Sequence, residues 1–245
     1  MDNALYVGLS RQMTLRRQLD IVANNIANAN TTGFKTEDLM VRTEQAKPAK
    51  TLDGASPVKF VLDDRVARDF TQGAMTKTGG DFDVAIEGTG FFHVQTAAGD
   101  RYTRDGRFTT NPEGQLVTQE GAQVLDDGGG PLLIDPTLGP VSIGKDGTVS
   151  QGAVRVGRLG VVRPDDLASM AKDGDNLYRN TANTTLQAAP DARVHQGMLE
   201  SSNVQPVVEI TKLIEIQRAY EGVAKMMDNT AELSRSAVER LGKLN

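Results

Sequence analysis

Cysteine is absent from the 245 residues, which removes disulfide scaffolds, thiolate zinc sites and cysteine nucleophiles from consideration. Tryptophan is absent as well, aromatics make up 4%, and His93 and His195 are the only two histidines. No apolar run approaches the length needed to span a bilayer, so no direct membrane insertion is expected. The opening MDNALYVGLSRQM lacks a basic region followed by an apolar one, so no cleaved signal peptide is expected either. A formal net charge of -5 supplies no general attraction to nucleic acid or to an anionic membrane.

Glycine is what the chain has instead. Of its 25 glycines, 18 fall between Gln72 and Gly160, spaced among short runs that alternate apolar and polar residues. DFDVAIEGTGFFHVQ alternates through Val84, Ile86, Phe92 and Val94, and Ala98-Gly99-Asp100 then reads as a hairpin turn. GRFTTNPEGQLVT and VSIGKDGTVSQ each read as strand, turn, strand, and a further strand is expected over Val154–Val162. Many short strands without helical periodicity between them predict an antiparallel β-domain. Its expected core is Phe82, Val84, Ile86, one of Phe91 or Phe92, Val94, Phe108, Leu116, Val124 and Ile143.

Both ends of the chain are different. Residues 3–29 carry Leu5, Leu15, Leu19, Val22 and Ile26 on one 3/4 row, a helical stripe that cannot satisfy itself in water. The row runs into ANNIANANTTGFK, where Asn24, Asn25, Asn28 and Asn30 precede Gly33 and Phe34. Asparagine competes with the helical backbone, and Gly33 supplies the conformation a helix end uses. Asn24, Asn25 and Asn28 stand before the cap itself, where helix propensity disfavours them. This predicts a hinge whose amides, Asn25 included, bond to neighbouring subunits. Near the other end Asn203 reads as a cap and Pro206 falls in a first helical turn. Ile210, Leu213, Gln217, Tyr220, Ala224, Met227, Val238 and Leu241 then follow at 3/4 spacing. One continuous helix here would be on the order of 55 Å long.

The fold class is therefore α+β. Long N- and C-terminal helices form a coiled-coil-like assembly domain around an inserted antiparallel, mainly-β domain. The expected divisions are an N-terminal helix and Asn-rich hinge at 1–35, a polar connector at 36–71 with one strand at Val58–Leu62, the β-domain at 72–196, and the C-terminal helix at 197–245.

No motif for chemistry survives inspection. Gly139–Lys145 meets half of a phosphate-binding loop, but Asp146 stands where Ser or Thr should hold magnesium and a strand follows instead of a helix. Gly88-Thr89-Gly90 begins a dinucleotide fingerprint that no helix completes. Asp126–Gly130 and Asp173–Asp175 lack full calcium-loop spacing. An enzyme on this scaffold would need Asp81, Asp83, Asp105 and His93 in one pocket. No cofactor, metal site or small-molecule substrate is expected.

A resemblance covers essentially the whole chain, in order. MDNALYVGLS, IVANNIANANTTGFK, DVAIEGTGFFHV with YTRDGRF and GQLVT, and GMLESSNVQPVVEITKLIEIQRAYE are similar to the bacterial flagellar rod and hook family. The resemblance implies a structural axial protein with other copies of itself and other rod subunits as partners. It also implies delivery through the flagellar type III export apparatus, and assembly into the basal-body rod that spans the periplasm. On that reading Leu5, Leu15, Leu19, Val22 and Ile26 form one assembly seam, and the row from Ile210 to Leu241 forms the other.

Overall fold

The aliphatic row that begins the chain becomes a single helix, α1 (Asp2–Ala27), and the row near its end becomes α2 (Pro206–Gly242). A computed structural model describes residues 2–45, 59–182 and 186–242. The chain divides into a helical unit (Met1–Ala27, Glu37–Arg68, Gln205–Asn245) and a β unit (Asn28–Thr36, Asp69–Val204).

In the helical unit α1 packs against α2. Gly8 admits a close approach: a Cβ there would lie 2.8 Å from Cγ of Met227. Gly222, inside α2, has open space around it, so the helix continues through it. Within the expected 36–71 connector, the described residues on either side of 46–58 form two strands. Strands β1 (Glu37–Gln45) and β2 (Lys59–Arg68) pair antiparallel from Glu37↔Arg68 to Gln45↔Lys59, with a bulge at Met40/Val41, and both pack on α1. The expected strand at Val58–Leu62 is the start of the longer β2, Val58 itself lying outside the described residues. Met40 and Val41 are exposed; the ladder between the strands and their seat on α1 hold the pair.

The β unit is an assembly of short antiparallel strands. In chain order its first half contains β3 (Met75–Lys77), β4 (Val84–Glu87), β5 (Phe91–Thr96), β6 (Gly99–Thr103), β7 (Phe108–Thr110), β8 (Leu116–Thr118) and β9 (Gln123–Val124). The next strands are β10 (Val141–Ile143), β11 (Thr148–Gln151), β12 (Val154–Arg158) and β13 (Val161–Arg163). The last are β14 (Met170–Lys172), β15 (Leu177–Asn180), β16 (Gln187–Ala188), β17 (Arg193–Gln196) and β18 (Met198–Glu200).

The largest sheet runs β14-β15-β6-β5-β9-β8-β7, with β13 pairing both β5 and β16. Two late strands return to early ones: β17 pairs with β4, and β18 with β3. The run expected as one strand over Val154–Val162 is two, broken at Leu159-Gly160. A Cβ on Gly160 would stand 2.7 Å from the Asp126 carbonyl oxygen, so the break is a close passage of two backbones.

The core residues named above are buried, except that Phe82 is half-buried against them. Phe91 and Phe92 are not alternatives. They point to opposite faces of β5, as the two-residue period of a strand requires. Phe92 meets Phe108 edge-on at 5.0 Å in the main cluster. Phe91 sits in a second cluster with Phe70, Tyr102, Met170 and Tyr178. Both faces of β5 are therefore covered.

Candidate assembly surface and its anchoring

The N-terminal row is covered on its inner side: Leu15 and Val22 are buried, and Leu5, Leu19 and Ile26 are half-buried. On α2 the half-buried positions include Leu213, Tyr220, Ala224 and Met227 of the expected row, together with Ile216 and Val223. Two members of the expected row point elsewhere, for Ile210 and Gln217 are exposed. The reason is helical drift. A strict row drifts around a 3.6-residue helix, so the face laid on α1 passes through Glu209 and Ile216 instead. The side chains of Val238 and Leu241 lie outside the described residues.

Pairing the helices leaves a second apolar stripe on each. On α1, Tyr6, Leu9 and Met13 are exposed at 62, 47 and 66%. On α2, Val207, Ile210 and Ile214 are exposed, Val207 at 78%. These residues recur every three or four positions, so each set forms one line along its helix. Most described members of the expected seams thus lie inward within the helical unit, Ile210 of the expected row falls on the outward line, and the other residues of the outward lines were not read from the sequence. Periodicity alone marks that a helix has an apolar face; it cannot apportion two such faces between a partner in the same chain and one outside it.

The Asn-rich stretch is tied down from both sides. Asn25 is wholly buried in the helical unit. Its amide donates to the Glu37 carbonyl at 2.8 Å and to Glu209 Oε2 at 2.9 Å, and its oxygen accepts from the Glu37 N–H at 3.0 Å. The expectation that Asn25 bonds a neighbouring subunit is therefore corrected, because every group it could offer is used inside the chain. Asn24 and Asn28 also have partners within the chain, while Asn30 is exposed. Glu209 in turn holds Lys212 at 2.8 Å. Burial pushes the Lys212 ammonium down, but bonds to Glu209 and Asp38 more than offset this and leave it above its usual range.

Gly33 and Phe34 belong to the β unit and are not a loose link. Gly33 adopts φ +69°, and its N–H donates to the Glu200 carbonyl at 2.7 Å. Phe34 is buried, with the Lys172 ammonium 4.1 Å from its ring centre. Asn203 is not the cap of α2, whose first turn closes from the Glu209 N–H to the Gln205 carbonyl. It works inside the β unit. Its Oδ1 accepts from the Thr36 N–H at 2.8 Å and from the Thr36 hydroxyl at 2.9 Å, and its amide donates to the carbonyls of Asp69 and Thr71. The side chain was free to serve the backbone in either way; three segments converging on it decided which.

Beside it lies a buried charge cluster that sequence reading missed. Lys35 Nζ meets Glu200 Oε1 at 2.6 Å, and Arg104 Nη1 meets Glu200 Oε2 at 3.0 Å; all three side chains are 4% exposed or less. Lys35 also donates to the Thr71 carbonyl, and Gly73 N–H to Glu200. Burial lowers the Lys35 ammonium against the pull of Glu200, and it lowers Arg104 in the same way. Single charged residues read as surface, and nothing in composition marks these three. The available signal was their position: each stands in a motif that carried the family resemblance, TTGFK, YTRDGRF and GMLESSN.

The residues an enzyme would need are dispersed among separate partners. Asp105 is forked with Arg107 at 2.6 Å, and Asp83 takes the Thr78 hydroxyl. His93 stacks on Tyr102 beside Asp100, and His195 meets Glu87 at 2.7 Å. The half phosphate loop is a turn, closed from the Gly147 N–H to the Gly144 carbonyl. Among the described residues no group of three or more acidic or histidine side chains could hold a metal ion. None of the helices there is long and apolar enough to cross a membrane.

Three family models match: "Flagella basal body rod protein" over residues 5–35, "Flagellar hook protein FlgE/F/G D1 domain" over 85–151, and "Flagellar basal body rod FlgEFG protein C-terminal" over 195–240. The first and third take in α1 and most of α2, and the second lies in the β unit. The flagellar basal-body rod protein FlgF of Caulobacter vibrioides is 82% identical over the full length of both chains. FlgF of Mesorhizobium japonicum is 40% identical over 99% of each, and FlgG of Bacillus subtilis 32% over 97% of this chain and 98% of its own. Identity of 82 and 40% to rod proteins over essentially the full length of each chain places this chain among structural proteins: it belongs to the flagellar basal-body rod protein family.

Proposed function

We propose that the chain is an axial subunit of the flagellar rod that polymerises through its two terminal helices, with copies of itself and with other rod subunits. The helices then form part of a drive shaft and export channel across the periplasm. Delivery is by the flagellar type III export apparatus, the route that the family resemblance implies. The observation that carries this reading is the outward stripe left on each helix after α1 and α2 have paired.

Covering the half-exposed Tyr6, Leu9, Met13, Val207, Ile210 and Ile214 yields on the order of 5–10 kcal/mol of apolar transfer. Association of two bodies costs a comparable amount. These six residues alone leave little surplus, so a stable polymer draws on further contacts between subunits. Full-length matches to FlgF at 82 and 40% identity, against 32% for FlgG, support this reading over a distal-rod or hook-type subunit.

The test is Met13→Asp and Val207→Asp. Both positions are exposed, so the folded chain should keep its circular dichroism while incorporation into the rod, and with it motility, is lost. Normal rods from both variants would remove the outward stripes from the assembly surface.

A further inference from the structure

The chain has eight methionines and neither cysteine nor tryptophan. A mild oxidant takes thiols and thioethers first, so a peroxide meets this protein at its methionine sulfurs. Among the described residues, burial sorts them. Met170 is 1% exposed inside the second core cluster, and Met75, Met198 and Met227 are half-buried. Met13, Met226 and Met40 stand open at 66, 53 and 44%.

Of these three only Met13 belongs to an outward stripe. It lies about one helical turn from Leu9 and about two from Tyr6 on the exposed face of α1. Met226 is turned about 120° around α2 from Ile214, and so from the line of Val207, Ile210 and Ile214. Met40 lies on β1. The open sulfurs thus differ in what covers them if the stripes are assembly surfaces.

A thioether suits a stripe of this kind, because it is apolar, flexible and adapts to the surface laid over it. The same sulfur makes the contact conditional. Transfer of one oxygen atom from hydrogen peroxide to Sδ of Met13 forms an S=O bond and leaves water. The sulfur gives up two electrons, and the breaking O–O bond of the peroxide takes them. The product is polar where the stripe was apolar. Burying it beneath a neighbour without a hydrogen-bond donor carries a desolvation cost that the thioether does not.

We propose that Met13 is a redox modification site: a peroxide-class oxidant converts its thioether to the sulfoxide in the unassembled chain and thereby blocks assembly through the α1 stripe. This rests on the assembly reading above and adds a chemical condition to it. Oxidation and assembly then exclude one another, since a sulfur covered by a neighbour no longer meets peroxide. Reductases return methionine sulfoxide to the thioether, so the block is reversible.

The test uses the full-length chain, partially oxidised with hydrogen peroxide, quenched with free methionine and placed under assembly conditions. Sedimentation separates assembled from free chains, and peptide mass spectrometry locates each sulfoxide in both fractions. The Met13 sulfoxide should be enriched about tenfold or more among free chains, whereas the Met226 and Met40 sulfoxides should divide more evenly. Met13→Leu chains should assemble both before and after peroxide, while Met226→Leu chains should lose assembly as the unsubstituted chain does. Methionine sulfoxide reductase should restore the oxidised chain. Even partition of the Met13 sulfoxide, or equal loss of assembly by oxidised Met13→Leu, overturns this site and leaves the assembly reading standing. The partition needs no variant, so it decides the outcome even where Met13→Leu itself assembles poorly. Free chains in which Met13 resists peroxide while Met226 and Met40 react overturn the site as well. Untreated chains that never sediment overturn both readings.

Discussion

Asn25 and Glu209 stand 184 positions apart in the chain and share a buried hydrogen bond of 2.9 Å. One amide thereby fastens the end of α1 to the start of β1 and to the first turn of α2. The buried carboxylate gains a donor, and the β1 backbone gains both of its missing partners. Neither Asn nor Glu would be tolerated at such depth without the other.

Asn25→Ala should therefore destabilise the helical unit by about 1–3 kcal/mol, the cost of leaving buried polar groups unpaired. Amide exchange in residues 5–27 and 207–233 reads this directly. If protection is unchanged and only assembly suffers, Asn25 faces a neighbouring subunit after all.

The charge cluster predicts an asymmetry. Glu200→Gln strands two buried cations and should cost about 3–5 kcal/mol, whereas Lys35→Met leaves the Arg104–Glu200 pair intact and should cost far less. Denaturant titration of each variant, followed by the circular dichroism of the β unit, separates them. Equal losses would mean that the cluster does not act through its charges.

Lys35 also sets a pH dependence. Its folded-state ammonium loses its proton more readily than a solvated lysine, whose ordinary value is 10.5, so above the folded value the unfolded chain binds more protons. Stability should then rise with pH on the approach to 10.5. Lys35→Met should lack that rise. Parallel slopes for the two chains would contradict the burial assigned to this lysine.

Two glycines should respond in opposite senses. A Cβ on Gly106 would fall 1.6 Å from the Val84 carbonyl oxygen, where backbone cannot yield, so Gly106→Ala should cost more than about 3 kcal/mol and open the β4 edge. Gly222 meets nothing within 4 Å inside α2, and Gly222→Ala should add about 0.5–1 kcal/mol through helix propensity. Thermal melts of both variants check the pair.

What could be read in advance follows from which forces are local. Strand alternation exposed Val84, Ile86, Phe92 and Val94 as core, because the two-residue period is imposed by the backbone itself. The same rule, applied to both faces, also explains why Phe91 had to be buried once Phe70 and Leu186 packed over it with Tyr102, Met170 and Tyr178, contacts that no window around β5 contains. The helices were legible for the same local reason, but the allotment of their faces was not. Gln217 and Ile210 fit the row as well as Ile216 does, and only the position of α1 distinguishes them. Asn25 and Asn203 show the limit most clearly. A side-chain amide can cap a helix, bond a neighbour or tie distant segments, and its partners here lie as far away as Glu209 and Thr36. Lys35, Arg104 and Glu200 were hidden because charge ordinarily marks the surface, and the exception depends on three residues meeting from remote parts of the chain.

The pairing of β17 with β4 and of β18 with β3 gives the molecule a schedule. Strands near residue 80 wait for partners near residue 200, and Lys35 waits for Glu200. Contacts of such sequence separation form late, after the entropy of closing a long loop has been met. A chain released from its N-terminus onward therefore cannot finish its β unit until nearly all of it has emerged.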